Sequence, residues 1–97
     1  MVIISRRALQ VFAAATPAVG DALDKWYATC RDADWRNIAD LRRSFNDVDY
    51  VGDNRFVFNI KGNYYRLVAM IFFDRRTVYI RFVGTHSSYE KINVKTV

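Results

Sequence analysis

The chain has 97 residues, 52% of them hydrophobic, with 15 Lys/Arg against 10 Asp/Glu. That length suits one domain, residues 1–97, with a small core and marginal stability. The longest uninterrupted apolar run, Leu67 to Phe73, is far short of the ~20 residues that span a bilayer, so no membrane partner is expected. Cys30 is the sole cysteine and His86 the sole histidine. An internal disulfide is therefore excluded, which fits a reducing cytoplasmic setting. Their separation matches no metal-ligand spacing, and neither a metal nor another cofactor is expected. The charge is uneven. Residues 1–49 hold seven basic and seven acidic side chains, residues 50–97 eight and three, so the whole net charge of +5 lies in the second half. Such asymmetry points to an anionic partner, either nucleic acid or an acidic protein.

Met1 to Ile4 reads as a short strand. Ser5 then suits a helix N-cap, with Leu9, Phe12 and Ala13 at helical spacing. Ser5-Arg6-Arg7 followed by Leu9 to Val19 superficially matches a twin-arginine export signal. Gln10 and Pro17 interrupt its apolar stretch, and the strand and helix reading is preferred. Thr16-Pro17 restarts the chain as cap and first-turn proline. Val19, Leu23, Trp26, Tyr27 and Cys30 mark one face of a second helix. Asp34 is expected to cap a third, with Trp35, Ile38, Leu41 and Phe45 facing inward.

From Val48 the period changes to strands rich in β-branched and aromatic residues: Val48–Val51, Arg55–Ile60, Tyr64–Phe73 and Thr77–Gly84. The loops between them, Gly52-Asp53-Asn54, Lys61-Gly62-Asn63 and Asp74-Arg75-Arg76, are short enough for hairpins. The expected fold is α+β, an antiparallel-rich sheet with the N-terminal helices on one face. Strand alternation places Phe56, Phe58, Ile60, Tyr65, Leu67, Ile71, Val78, Ile80 and Phe82 against the helices. Arg66 and Arg81, with Tyr64, Tyr79 and Val83, fall on the opposite face, and Lys61 joins it if its strand continues. An Arg in such a strand is either solvated or paired with a carboxylate. If solvated, its planar fork suits phosphate, and nearby tyrosines suit unpaired bases. Thr85 is expected to cap a short turn that sets His86 and Tyr89 on one side, with Lys91 near the same edge. Ser88 stands where Glu or Gln would complete a capping box.

Taken together, Val51 to Arg55, the string Asn59-Ile60-Lys61-Gly62-Asn63, the run Tyr65-Arg66-Leu67-Val68, the strand Val78 to Gly84 and Thr85-His86 with Tyr89 resemble the HigB family of toxins. The resemblance is nearly continuous over the second half and looser before it. It implies a RelE-like fold and an endoribonuclease that cuts mRNA, usually on the ribosome, to inhibit translation. The usual partner is a HigA-like helix-turn-helix antitoxin bound in a hetero-oligomer. The family often has an acid on either side of the tyrosine; here these are Ser88 and Glu90. Under this reading Arg66, His86 and Tyr89 are the candidate catalytic residues. Lys61, Arg81, Lys91, Tyr64 and Tyr79 are the candidate RNA contacts. The alternatives are a non-catalytic RNA-binding module and an inactive homologue whose basic face only docks an acidic antitoxin.

Overall fold

Alternation of Val, Ile, Phe and Tyr builds strands because a pleated chain sends successive side chains to opposite faces. In the computed structural model, which describes residues 1–97, the order is β1 (Val2–Ile4), α1 (Arg6–Ala15), a 3₁₀ turn (Pro17–Val19), α2 (Gly20–Asp32) and α3 (Ile38–Ser44). β2 (Asp49–Gly52), β3 (Arg55–Ile60), β4 (Tyr65–Phe72), β5 (Thr77–Thr85) and the single-turn α4 (His86–Tyr89) follow. The five strands form one sheet in the order β1-β5-β4-β3-β2. β1 runs parallel to β5, and every other pairing is antiparallel. The α+β arrangement expected from the sequence is therefore the one adopted.

The core lies between the sheet and the helices. Phe56, Phe58, Leu67, Ile71 and Val78 pack with Leu9, Leu23, Trp26, Cys30 and Leu41. Each large side chain so buried contributes roughly 1.5–3 kcal/mol before entropy is counted. Trp26 and Phe45 both meet Phe58 edge-on, with ring centroids 5.4 and 5.0 Å away. Burial pushes the Cys30 thiol far above its ordinary value, so it serves as an inert core side chain.

Four local expectations are corrected. Asn37, not Asp34, caps α3: its side chain accepts from the Asp40 amide at 2.9 Å. Asp34 is instead held outside the helix by Arg76, at 2.6 Å. The second concerns two hydroxyl caps that do not form: Pro17 opens a 3₁₀ turn with no side-chain bond from Thr16, so α2 itself starts at Gly20, and Ser5 stands at the N-cap of α1 without a capping bond.

The third correction concerns β5. Val68 pairs with Phe82 but Ala69 pairs with Ile80, so Arg81 is the extra residue of a bulge. The alternation shifts there by one. Val83 faces the helices, and Phe82, expected against them, lies on the outer face. The fourth concerns Lys61. The strand stops at Ile60, and Lys61 takes a left-handed φ of 51°. Its Nζ then reaches the Ala18 carbonyl at 3.1 Å, on the helical side of the sheet.

The outer face is less open than the alternation suggests. Val57 and Val68 belong to it, yet they are 5% and 0% exposed. Phe82, Tyr89 and the segment after α4 fall on this side: the Phe82 and Tyr89 rings sit 6.4 Å apart, and Val97 returns to Arg55 and Arg81.

Candidate functional site

Antiparallel pairing lines up Asn59, Arg66 and Gly84 in one rung across β3, β4 and β5. Arg66 thus projects from the outer face near the end of β4. Its guanidinium is steadied by the adjoining turn. Nη2 donates to Asn63 Oδ1 at 2.7 Å, and Nη1 donates to the carbonyls of Asn63 at 3.2 Å and Tyr65 at 3.4 Å. No carboxylate pairs with Arg66 or Arg81. Of the two roles open to them from the sequence, the ion-paired one is absent. Arg66 remains an uncompensated cation with unused donors, while Arg81 donates to the Val97 oxygen.

His86 is brought to the same end of the sheet by its main chain. Two residues after Gly84, the His86 amide donates to the Tyr64 carbonyl at 3.0 Å. This ties the start of α4 to the β3–β4 turn that holds Arg66. Thr85 caps the turn as expected, its Oγ1 accepting from the Ser88 amide at 3.0 Å. Ser88 Oγ accepts in turn from Thr85 Oγ1 at 3.0 Å. The imidazole Nε2 lies 3.2 Å from Glu90 Oε1, and Nδ1 has no protein partner. A carboxylate on one ring nitrogen and a free second nitrogen suit an acid or base in proton transfer. Tyr89 lies one helical turn from His86 and leans on Phe82. Gly84 makes room for that ring: a Cβ there would stand 2.7 Å from Phe82 Cζ.

The other expected residues divide. Tyr64 is 73% exposed and joins the Arg66–His86 end through its carbonyl. Lys91 is exposed just past α4 and has no carboxylate partner. Arg81 stands at the bulge and donates to Val97. Tyr79 pairs with Met70, four residues along β4 from Arg66, a separation of about 13 Å. It packs edge-on with Phe72, away from the cluster. Lys61 points to the helical side. Three contributors escaped the sequence reading. Glu90, four residues from His86, had a legible helical spacing. Asn63 and Arg55 stand in the strings that carry the family resemblance, but no spacing marks either as a partner in the site.

Fold and site together define a small single-sheet α+β protein that carries an arginine without a carboxylate partner on its outer face and a His–Glu pair just past its last strand. Residues 19–92 match the family described as HigB_toxin, RelE-like toxic component of a toxin-antitoxin system, and the chain belongs to that family. Among characterised relatives it is 45% identical over 47 residues to the mRNA interferase toxin HigB of Escherichia coli (strain K12). The same figures hold for the mRNA interferase HigB of Escherichia coli O157:H7 and of Shigella flexneri. The match spans 48% of this chain and 44% of the relatives' length. No helix is long and apolar enough to cross a membrane.

Proposed function

We propose that this toxin is an endoribonuclease that cuts mRNA and so inhibits translation. The observation that carries this reading is the carboxylate-free Arg66 at the end of the sheet to which the His86 main chain is tied. The names of its relatives agree with it. The chemistry needs no group beyond the chain. A base takes the proton of a ribose 2′-hydroxyl, and that oxygen bonds to the adjacent phosphorus. The bond from phosphorus to the 5′-oxygen breaks in line, and an acid protonates the leaving oxygen. A 2′,3′-cyclic phosphate and a 5′-hydroxyl result.

Arg66 stabilises the crowded phosphate through its unused donors. His86, with Glu90 on Nε2 and Nδ1 free, exchanges the proton at one end of the reaction. Tyr89 orients the 2′-hydroxyl or donates at the leaving oxygen. Tyr64 stacks with a base, and Lys91 holds backbone phosphate. Lys61, turned toward Ala18, is withdrawn from the set. The toxin acts in the cytosol on mRNA engaged by the ribosome, and a HigA-like helix-turn-helix antitoxin neutralises it in a hetero-oligomer.

The test is inducible expression in bacteria of the wild type and of His86→Ala, following growth and mapping mRNA 5′ ends. Growth arrest with new ends in the wild type, and neither in folded His86→Ala, is the expected result. New ends in both variants would remove His86 from the mechanism. A soluble wild type that neither arrests growth nor creates ends would overturn the nuclease reading and leave a docking or RNA-binding face.

A further inference from the structure

Part of the sheet has an edge that no strand covers. β1 pairs only with Thr77, Val78 and Tyr79, so Ile80 to Thr85 of β5 have no strand on that side. The phase of the ladder decides which main-chain groups point there. The His86 amide donates to the Tyr64 carbonyl at 3.0 Å, and the Ile71 amide donates to the Asn54 carbonyl at 2.8 Å. Hydrogen-bonded and non-hydrogen-bonded pairs alternate along an antiparallel ladder. Arg66 therefore exchanges its bonds with Gly84, and Leu67 exchanges its own with Phe58. Val83, opposite Leu67, turns its N–H and C=O away from β4 and toward the uncovered edge. No main-chain bond outside the ladders satisfies either group.

α1 runs beside this stretch, where its Phe12 meets the Tyr65 ring at 6.0 Å. It shields the edge in part but cannot pair with it, because a helix spends its main-chain groups on itself. A recess of about 530 Å³ remains between α1 and β5, with Ala8, Val11, Phe12, Ala15 and Val83 on its walls. Val11 is 58% exposed. Arg7 also lines the recess and pairs with no Asp or Glu, and α1 holds no acidic residue. An occupant thus meets apolar walls, one free positive charge and an unpaired strand edge. RNA answers the charge but has no row of alternating N–H and C=O groups and no apolar side chains. An extended peptide has both, and its main chain pairs with the edge while alternate side chains enter the recess. Arg7 favours a peptide that carries Asp or Glu.

We propose that the free edge of β5 at Val83 is a docking site for an extended segment of a partner protein, which adds as a strand, sets an apolar side chain in the recess beside α1 and offers Asp or Glu to Arg7. The inference rests on the edge and the recess alone and holds whether or not the chain cuts RNA. Val83 stands three residues before His86, about 10 Å along a strand. The added strand therefore lies against the segment that leads into α4 and leaves the Arg66 face open.

The experiment uses the full chain, labelled for NMR, and short capped peptides: one alternating Val with Glu, one alternating Val with Lys, and the Val–Glu peptide with alternate main-chain nitrogens methylated. In the free chain the Val83 amide should exchange with solvent faster than that of Leu67, which is bonded within the sheet. The Val–Glu peptide should shift the amides of α1 and of Ile80 to Thr85 and slow exchange at Val83. The Val–Lys peptide should bind about fivefold more weakly or worse, from the loss of an exposed ion pair, and the methylated peptide should not bind. Arg7→Glu should reverse the preference between Glu and Lys. Val83→Pro removes only an unpaired N–H, which an edge tolerates, and should weaken the Val–Glu peptide about fivefold, the worth of one hydrogen bond. Val11→Asp, which puts a charge on the wall of the recess, tests the same site without touching the backbone and should also weaken it. A Val83 amide as protected as that of Leu67 in the free monomer would overturn the open edge. Binding that the Lys and methylated peptides share equally would overturn the acidic strand. Protection of Val83 that grows with protein concentration, alongside a dimer in sedimentation, would assign the edge to a second copy and overturn the partner segment. Shifts at Arg7 and Val83 with an uncleavable single-stranded RNA, and none with any peptide, would overturn it in favour of nucleic acid.

Discussion

Glu90 and His86 meet at 3.2 Å through Nε2, and both are partly exposed, so water screens the pair. Its value is positional: the carboxylate fixes which way the ring faces while Nδ1 stays free. Replacing His86 by Ala should slow RNA cleavage ~10²–10⁴-fold, the usual contribution of a proton-transfer group. Glu90→Gln keeps an acceptor near the ring and should cost about fivefold or less, in line with the ~1 kcal/mol upper worth of an exposed ion pair. Single-turnover cleavage assays on both variants rank the two effects, and a larger loss in Glu90→Gln would transfer the chemistry to the carboxylate. Gly84 gives a second residue-scale prediction. An added Cβ would meet Phe82 Cζ at 2.7 Å and force the ring off Gly84, toward or past Tyr89. Gly84→Ala should lower stability by about 1–3 kcal/mol, the range for overpacking, as read by urea unfolding. It should also reduce cleavage through displacement of Tyr89. At this scale Arg66 was legible, because an Arg flanked by Tyr65 and Leu67 must take the face opposite the core. Lys61 was not: the left-handed backbone that ends its strand belongs to the turn, and no glycine at that position announced it.

Elements followed the hydrophobic period closely and missed where a single residue resets it. The bulge at Arg81 exchanges the faces of Phe82 and Val83, and nothing in Tyr79-Ile80-Arg81-Phe82-Val83 signals an extra residue. The start of α3 was misplaced for a related reason. Asp34 and Asn37 are both good caps, and tertiary contact decides between them. Arg76, from the β4–β5 turn, takes Asp34 and leaves Asn37 to cap the helix. Asn37→Ala should therefore cost about 1 kcal/mol in chemical denaturation, while Asp34→Ala should leave the α3 cap intact. The Asp34–Arg76 tie also carries a pH signature. The hydrogen bond from Arg76, then its charge and that of Arg36, hold the Asp34 carboxyl below its ordinary 3.8. A depressed carboxyl stabilises the fold above its unfolded value and loses that contribution as pH falls through its folded value. Asp34 is exposed, so the gain is small. In Arg76→Ala its titration, followed by carboxyl-carbon NMR, should move up toward 3.8. The melting difference between the wild type and Arg76→Ala from this source should shrink as acid protonates Asp34.

Across the whole molecule, the ion pairs gather around the helices and the turns beside them: Arg31 with Asp32, Arg43 with Asp40, and Arg36 and Arg76 sharing Asp34. Arg66 emerges on the outer face and Lys91 follows α4, both without an Asp or Glu partner. The sequence showed this imbalance as the net +5 of residues 50–97. A face of this kind attracts any polyanion, so affinity alone says little about mechanism, whereas its salt dependence counts contacts. Arg66 and Lys91 amount to two phosphate contacts. Uncleavable single-stranded RNA should then bind with a log–log salt slope of about −1.4, from ~0.7 per phosphate. Arg31→Ala, within a self-neutralised pair, should leave that slope unchanged. A wild-type slope near zero would mean that stacking on Tyr64 and Tyr79 dominates and that the outer-face cations are bystanders. An equal change in slope from Arg31→Ala would mean that RNA responds to net charge and not to this face.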